Sequence, residues 1–215
     1  MTRVVALIDY GSGNLRSAEK ALQRAAAGLA VSPTIVTTDD PAVIAAADAI
    51  VLPGVGAFSA CHAALLAREG VAEAMTHAAR ARGAPFLGIC VGMQLLATRG
   101  LEFGQTPGLD WIAGDVEPLR AAPPAVKVPH VGWNSLYFAA STPLFAGLTS
   151  GSDAYFTHSY AFRAASDADV AAWTDHGGRF AAAVIQGNLA GVQFHPEKSQ
   201  GAGLKLLANF LEWRP

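Results

Sequence analysis

The sequence predicts an α/β protein: a mostly parallel central sheet flanked by helices, with an antiparallel strand extension in the second half. Three observations carry this. Short apolar runs alternate with helical stretches through the first hundred residues, the pattern of strands joined by crossover helices. Beyond Gly100, glycines and prolines become frequent and the strand-like runs shorten, as in hairpins. The 215 residues are 52% hydrophobic and only 15% charged, enough apolar material for one sizeable core and too little charge for a disordered chain. No repeat, low-complexity tract or linker interrupts the chain, so residues 1–215 read as a single domain.

Taken in order, strands are expected over 4–8, 34–36, 49–52 and 86–89, each a short apolar or β-branched run. Helices are expected over 15–27, 41–47, 58–66 and 71–82, and residues 91–97 have helical composition. In the second half, strands are expected over 126–128, 154–160, 170–174, 180–185 and 190–194. Gln186-Gly187-Asn188 forms a turn between the last two. A final helix over 204–213 carries apolar residues at 204, 207, 208 and 211, one core-facing stripe.

In such a sheet, the loops after Asp9, Leu52 and Ile89 share the carboxyl edge, where open α/β folds bind ligands. The third of these loops is the most informative. Gly88-Ile89-Cys90-Val91-Gly92 leads from strand to helix, and its glycines permit the close backbone approach that a sharp turn requires. It is the cysteine form of a nucleophile elbow, with the sulfur at a helix N-terminus that favours negative charge. A lone cysteine is more often a small buried hydrophobe, and Cys61, between Ala60 and His62 in a helical stretch, reads that way. For Cys90 a second motif reverses the reading. His195-Pro196-Glu197 follows the apolar run 190–194, and in extended structure residues two apart face the same side. Cysteine needs a base, and the base needs an anion to set its tautomer and stabilise its charge.

Other classes are disfavoured. A formal net charge of -2 does not suit a nucleic-acid or anionic-membrane surface. No uninterrupted apolar stretch suffices to span a bilayer, and the N-terminal run ends at Asp9, too soon for a signal-peptide core. Two cysteines in unlike settings do not make a disulfide framework and fit a reducing cytoplasm. The remaining histidines (62, 77, 130, 158 and 176) lack metal-site spacing, so neither metal nor cofactor is expected.

Gly-Ile-Cys-Val-Gly-Met-Gln at 88–94, with His-Pro-Glu at 195–197, resembles the class I (triad) glutamine amidotransferases. Further blocks narrow the likeness: Asp-Tyr-Gly-Ser-Gly-Asn-Leu at 9–15, Pro-Gly-Val-Gly-Ala-Phe at 53–58, Val-Pro-His-Val-Gly-Trp-Asn at 128–134 and Tyr-Phe-Thr-His-Ser-Tyr at 155–160. Together, along the whole chain, they resemble the glutaminase subunits of imidazole glycerol phosphate synthases of histidine biosynthesis. The resemblance implies hydrolysis of L-glutamine through a cysteinyl thioester, with Cys90 as nucleophile, His195 as acid and base, and Glu197 as its orienting anion. It implies an oxyanion hole from the Val91 N–H and an amide of the Gly54-Val55-Gly56 loop, although Pro53–Gly56 read alone is a plain strand-ending turn. Gln94, Ser159 and Tyr160 match glutamine-contacting positions, and their polar groups also suit ordinary helix and strand hydrogen bonds.

The implied partner is a (β/α)₈-barrel synthase subunit that receives ammonia through a closed channel, with Asn14, Trp133, Asn134 and Lys198 at the heterodimer interface. Read alone, Lys198 is a solvated surface lysine and Trp133 a core residue. Val91 and Val131 stand where the family more often has leucine and methionine, and Asp110 and Ala113 replace a more usual glycine and proline. The competing readings are a glutaminase of another pathway, a cysteine peptidase and a non-catalytic protein that supports a partner. The Gly-Trp-Asn block argues against the first and the complete triad against the last, while peptide cleavage would mark the second.

Overall fold

The structure, a computed structural model, describes residues 2–119, 126–139 and 141–215. Its first half follows the expected alternation: β1 (Val4–Ile8), α1 (Leu15–Ala26), β2 (Thr34–Thr38), α2 (Pro41–Ala46), β3 (Ala49–Gly54), α3 (Phe58–Leu66), α4 (Val71–Thr76), β4 (Phe86–Cys90) and α5 (Val91–Gln94). Short strands β5 (Arg99–Gly100) and β6 (Thr106–Pro107) come next. They are followed by β7 (Gly114–Pro118), β8 (His130–Ser135), β9 (Tyr137–Phe138), β10 (Asp153–His158) and β11 (Tyr160–Ala164). β12 (Val170–Asp175), β13 (Arg179–Gln186), β14 (Leu189–Val192) and α6 (Gln200–Glu212) complete the chain.

The main sheet has eight strands in the order β2-β1-β3-β4-β14-β13-β12-β9. From β2 to β14 every pairing is parallel, and from β14 to β9 every pairing is antiparallel. The expected antiparallel extension is therefore continuous with the parallel sheet. Two smaller sheets stand beside it, β10-β8 and β11-β7-β5-β6. Strands β1, β3 and β4 are almost wholly buried, as expected where a parallel sheet is covered on both faces. Helix α1 packs against α6, and α2 against α4.

Several sequence expectations change, each for a local reason. Residues 126–128 form no strand; the strand begins at His130 and pairs antiparallel with β10, from His158↔His130 to Asp153↔Ser135. The expected strand 154–160 is two strands broken at Ser159, so one segment serves two sheets. Helix α5 stops at Gln94 because the following loop captures its next carbonyls: Leu109 N–H bonds Leu95 O and Asp110 N–H bonds Ala97 O. The segment 71–82 changes from α-helix to a π-helical turn over His77–Ala81. The run 190–194 leaves the ladder after Val192, and the last helix starts earlier than expected, at Gln200. Its buried face is wider than the stripe read from the sequence and includes Leu206, Asn209 and Phe210. Strands β5, β6, β7 and β9 have no counterpart in the sequence reading.

Asp110 explains its own departure from glycine. It holds φ 54°, and its carboxylate accepts a hydrogen bond from Thr98 Oγ1 at 2.7 Å. Aspartate is among the few side chains that tolerate this left-handed region.

Close approach, rather than positive φ, dictates the glycines of the elbow. A Cβ on Gly92 would lie 1.9 Å from the Leu52 carbonyl oxygen, and one on Gly88 would lie 2.4 Å from Gly92 O. Both clashes are with backbone and cannot be relieved by a rotamer change. Gly92→Ala is expected to cost about 3 kcal/mol or more, the upper end of overpacking penalties. For a chain of this size that lowers Tm by roughly 6–12 °C. Gly201→Ala, where an added Cβ meets nothing within 4 Å, serves as the control. Thermal unfolding of both variants checks this, and an unchanged Tm for Gly92→Ala would remove the close approach as the reason for the glycine.

Candidate active site

Strand register assembles the site. Gly54 pairs with Cys90 across β3 and β4, and Ile89 pairs with Val192 across β4 and β14. Three parallel strands therefore end at one level of the carboxyl edge and deliver three groups. β3 delivers the Gly54-Val55-Gly56 loop, β4 delivers Cys90, and β14 leads through Gln193 and Phe194 to His195. Cys90 sits at φ 55°, ψ -111°, a strained conformation that turns it out of the strand. It is nevertheless 3% exposed.

His195 is not on a strand, as the sequence reading had it. The chain has left β14, and Pro196–Lys198 forms a 3₁₀ turn that places Glu197. The pair meets all the same, with His195 Nδ1 2.7 Å from Glu197 Oε1 and both side chains almost wholly buried. The proline supplies a fixed φ for this turn. Ser199 straps the segment in place: its Oγ donates to His195 O at 2.7 Å and accepts from Tyr155 N–H at 3.0 Å.

Burial opposes the charged form of His195, but the neighbouring Cys90 and Glu197 outweigh it and push the ring up to about 9. Among the described residues, His195 Nε2 has no hydrogen-bond partner. Nε2 is the nitrogen left to exchange a proton with a substrate, since Nδ1 is committed to Glu197.

These residues open into a cleft of about 280 Å³. Of the sequence candidates, Val55, Gly56, Val91, Gln94, Ser159 and Tyr160 line it together with Cys90 and His195. Gly54 lies beneath, where an added Cβ would come 2.7 Å from Gly92 N. The loop is held from behind, since Tyr10 Oη donates to Pro53 O at 2.8 Å and Ser12 Oγ to Val55 O at 2.9 Å. Cys61 is buried as expected, but it is also polar in use: its thiol donates to Val55 O at 3.3 Å. Burial pushes that thiol up, which keeps it protonated as a donor.

Four wall residues were missed. Glu102 faces the cleft while its carboxylate accepts the Phe58 N–H at the start of α3 at 2.6 Å, and Pro129, Thr157 and His158 complete the lining. Gln193, fully buried, was missed as well, and its Nε2 lies 3.7 Å from Cys90 Sγ. A polar residue inside the apolar run 190–194 was the available signal.

The interface candidates separate into two kinds. Trp133 is 48% exposed, packs edge-on against Tyr155, and is no core residue. Lys198 is exposed with its Nζ 5.7 Å from the same Tyr155 ring, and Asn14 is exposed at the start of α1, which packs on the Pro196–Lys198 turn. Asn134 instead points inward. Its amide donates to Asp175 O at 2.8 Å, contacts His130 Nε2 at 3.3 Å, and accepts the Ser135 N–H. Among the described residues no group of three or more His, Cys, Asp or Glu side chains is placed to hold a metal ion, and no helix is long and apolar enough to cross a membrane.

The family model for class-I glutamine amidotransferases matches residues 6–213. The chain is 58% identical over 213 residues to the imidazole glycerol phosphate synthase subunit HisH of Caulobacter vibrioides, covering 99% of this chain and all of that one. To the HisH subunit of Rhodospirillum rubrum it is 56% identical, covering 98% and 99%. Among solved structures, one described as a glutamine amidotransferase superposes with a TM-score of 0.69 at 21% identity, covering 96% of this chain and 97% of that one. A glutamine amidotransferase from Thermotoga maritima gives 0.61 at 15% identity, covering 92% and 77%. These two likenesses speak for the fold alone. With a full-length family match, relatives above half identity and an elbow cysteine beside a His–Glu pair, the chain belongs to the class-I glutamine amidotransferases and, among them, to the HisH subunits of imidazole glycerol phosphate synthase.

Proposed function

We propose that Cys90, His195 and Glu197 are the catalytic triad of this glutamine amidotransferase, which hydrolyses L-glutamine to glutamate and ammonia for imidazole glycerol phosphate synthesis in histidine biosynthesis. The observation that carries the assignment is the 2.7 Å His195–Glu197 contact, beside the elbow cysteine in one cleft. Cys90 passes its thiol proton to His195 Nε2, its Sγ attacks the side-chain amide carbon, and the C–N bond breaks. His195 Nε2–H protonates the departing amine, leaving a glutamyl thioester. Water, deprotonated by His195, then breaks the C–S bond and releases glutamate, restoring the thiol. The developing oxyanion is met by the Val91 N–H and an amide of the Gly54-Val55-Gly56 loop. Gln94, Ser159 and Tyr160 hold the amino-acid end of glutamine. The Glu102 carboxylate on the same wall suits an α-ammonium group.

Ammonia set free in water would be protonated and lost, so a HisH-type subunit works in a multi-subunit synthase. The partner is a (β/α)₈-barrel synthase subunit, docked over the rim that carries Asn14, Trp133 and Lys198, with the strand of Asn134 beneath. The half-exposed Trp133 and Val131 support that placement, as do Tyr155 and Lys198 beside them. The whole chain acts as one domain, and its two free cysteines suit a reducing cytoplasm.

Cys90→Ala is expected to abolish glutamine-dependent synthesis by the assembled enzyme while leaving ammonia-dependent synthesis intact. Glutamate release at the wild-type rate in this variant would refute the nucleophile assignment. Glu197 generates a second expectation. An imidazolium at His195 supplies the proton to the leaving amine, so kcat/KM should fall as pH rises through about 9. Gln in place of Glu197 removes an anion that raises this value, which moves the alkaline limb to lower pH. Turnover in Glu197→Gln should remain roughly 10–100-fold above that of Cys90→Ala. A limb that stays where it is in the wild type would dismiss Glu197 as the residue that sets the charge of His195.

A further inference from the structure

One backbone carbonyl fixes the polarity of a hydrogen-bonded chain that the triad does not use. Tyr160 O accepts from Gln94 Nε2 at 3.0 Å and from His158 Nδ1 at 2.8 Å. A carbonyl can only accept, so both neighbours must present N–H. Towards the nucleophile, the other hydrogen of Gln94 Nε2 goes to Gln193 Oε1 at 3.0 Å. Gln193 therefore presents its Nε2, a donor, to Cys90 Sγ at 3.7 Å. Away from the nucleophile, a neutral ring with its proton on Nδ1 has a lone pair on Nε2. His158 Nε2 lies 3.0 Å from His130 Nδ1, which must then be the donor. His130 Nε2 is left as an acceptor and faces Asn134 Nδ2 at 3.3 Å.

The chain is buried along its length: Gln193, Gln94, His130 and His158 are each under a tenth exposed. Burial pushes His158 down to about 4 and His130 to about 3, so both rings stay neutral, as the polarity requires. The ring of His130 is also held by stacking, with His176 at 3.9 Å and Phe156 at 4.8 Å between centroids. A satisfied buried network of this kind is rigid, and losing one link strands its neighbours.

We propose that Gln193 is a positioning residue for the Cys90 sulfur, and that His158 and His130 are positioning residues that hold it, through Tyr160 and Gln94, from strand β8 at Asn134. Gln193 aims a donor at the reacting atom, and the rest of the chain prevents its amide from turning over. The kinetic part of this proposal rests on the glutamine-hydrolysis reading; the orientation part does not.

The test begins with the full-length wild-type protein labelled with ¹⁵N-histidine at neutral pH. Histidine ¹⁵N shifts should give a static Nδ1–H tautomer for both His158 and His130. An Nε2–H tautomer, or a mixture, at either ring breaks the chain and overturns the proposal. The second measurement is on Gln193→Met, which keeps length and removes the donor. Once folding is confirmed, kcat for glutamine in the assembled enzyme should fall about ten-fold, the worth of one lost hydrogen bond, with KM nearly unchanged. Iodoacetamide should alkylate Cys90 several-fold more slowly. Lower thermal stability with unchanged kcat and alkylation would reduce Gln193 to a packing residue and end the proposal. His130→Phe, which keeps the stack, should disturb the His158 tautomer and lower kcat, and no change in either would remove the outer links. If wild-type protein failed to hydrolyse glutamine while Gln193→Met still slowed alkylation, the substrate reading would fall and the positioning role would stand.

Discussion

The structure depends on one close approach, the packing of the Gly92 backbone onto the carbonyl oxygen of Leu52. At that distance no side chain fits on Gly92, and the same crowding excludes one from Gly88. Strand β4 must therefore turn sharply between them, and Cys90, at the midpoint, takes the strain as a positive φ. The elbow and the loop after β3 are consequently one object. Gly54 is Cys90's register partner, and its own Cα comes too close to Gly92 N to carry a Cβ. Cys90 and the main-chain amides proposed to serve an oxyanion are thus fixed relative to each other by backbone contact, which is stiffer than any side-chain contact.

The antiparallel half has a different task. Cys90 arrives from the parallel sheet, but the far wall of the cleft comes from β10, β11 and the break between them at Ser159. Breaking one segment between two sheets lets consecutive residues do unlike work. His158, Ser159 and Tyr160 all border the cleft, but the His158 ring is bonded inward to His130, and the Tyr160 carbonyl collects two donors. The wall is thereby tied both to the elbow helix, through Gln94, and to β8, through His158 and His130. Strand β8 is also where the exposed Val131 and Trp133 emerge, so the strand that anchors the cleft wall through His130 carries these apolar side chains on its outer face.

What could be read from the sequence follows from which forces are local. The elbow was legible because two glycines flanking a cysteine between a strand and a helix leave few backbone solutions. The parallel half was legible because β–α alternation imposes its own periodicity. His195 and Glu197 do meet, but on a different backbone from the one expected: spacing by two suits a strand, whereas Pro196 shapes a 3₁₀ turn that joins them equally well. Residues 126–128 looked like a strand by composition. The strand proper, His-Val-Gly-Trp-Asn-Ser at 130–135, has poor strand composition and exists because β10 pairs with it. β-propensity is weak against such tertiary pairing.

The links from Gln193 to Asn134 were beyond sequence reading for a stronger reason. They join residues up to 103 positions apart, and their meaning is a direction rather than a contact. Residue identity alone does not say which nitrogen of a histidine carries the proton or which end of a glutamine faces a sulfur. That information appears only when a group of fixed polarity is found in the network, here the Tyr160 carbonyl. From it each donor and acceptor follows in turn, in both directions. A glutamate at 193 would offer the same shape, and a histidine pair with the opposite tautomers the same distances, yet each would reverse the field at Cys90 or break the chain. Side-chain polarity at Cys90 is thus set by a main-chain atom on the opposite wall of the cleft.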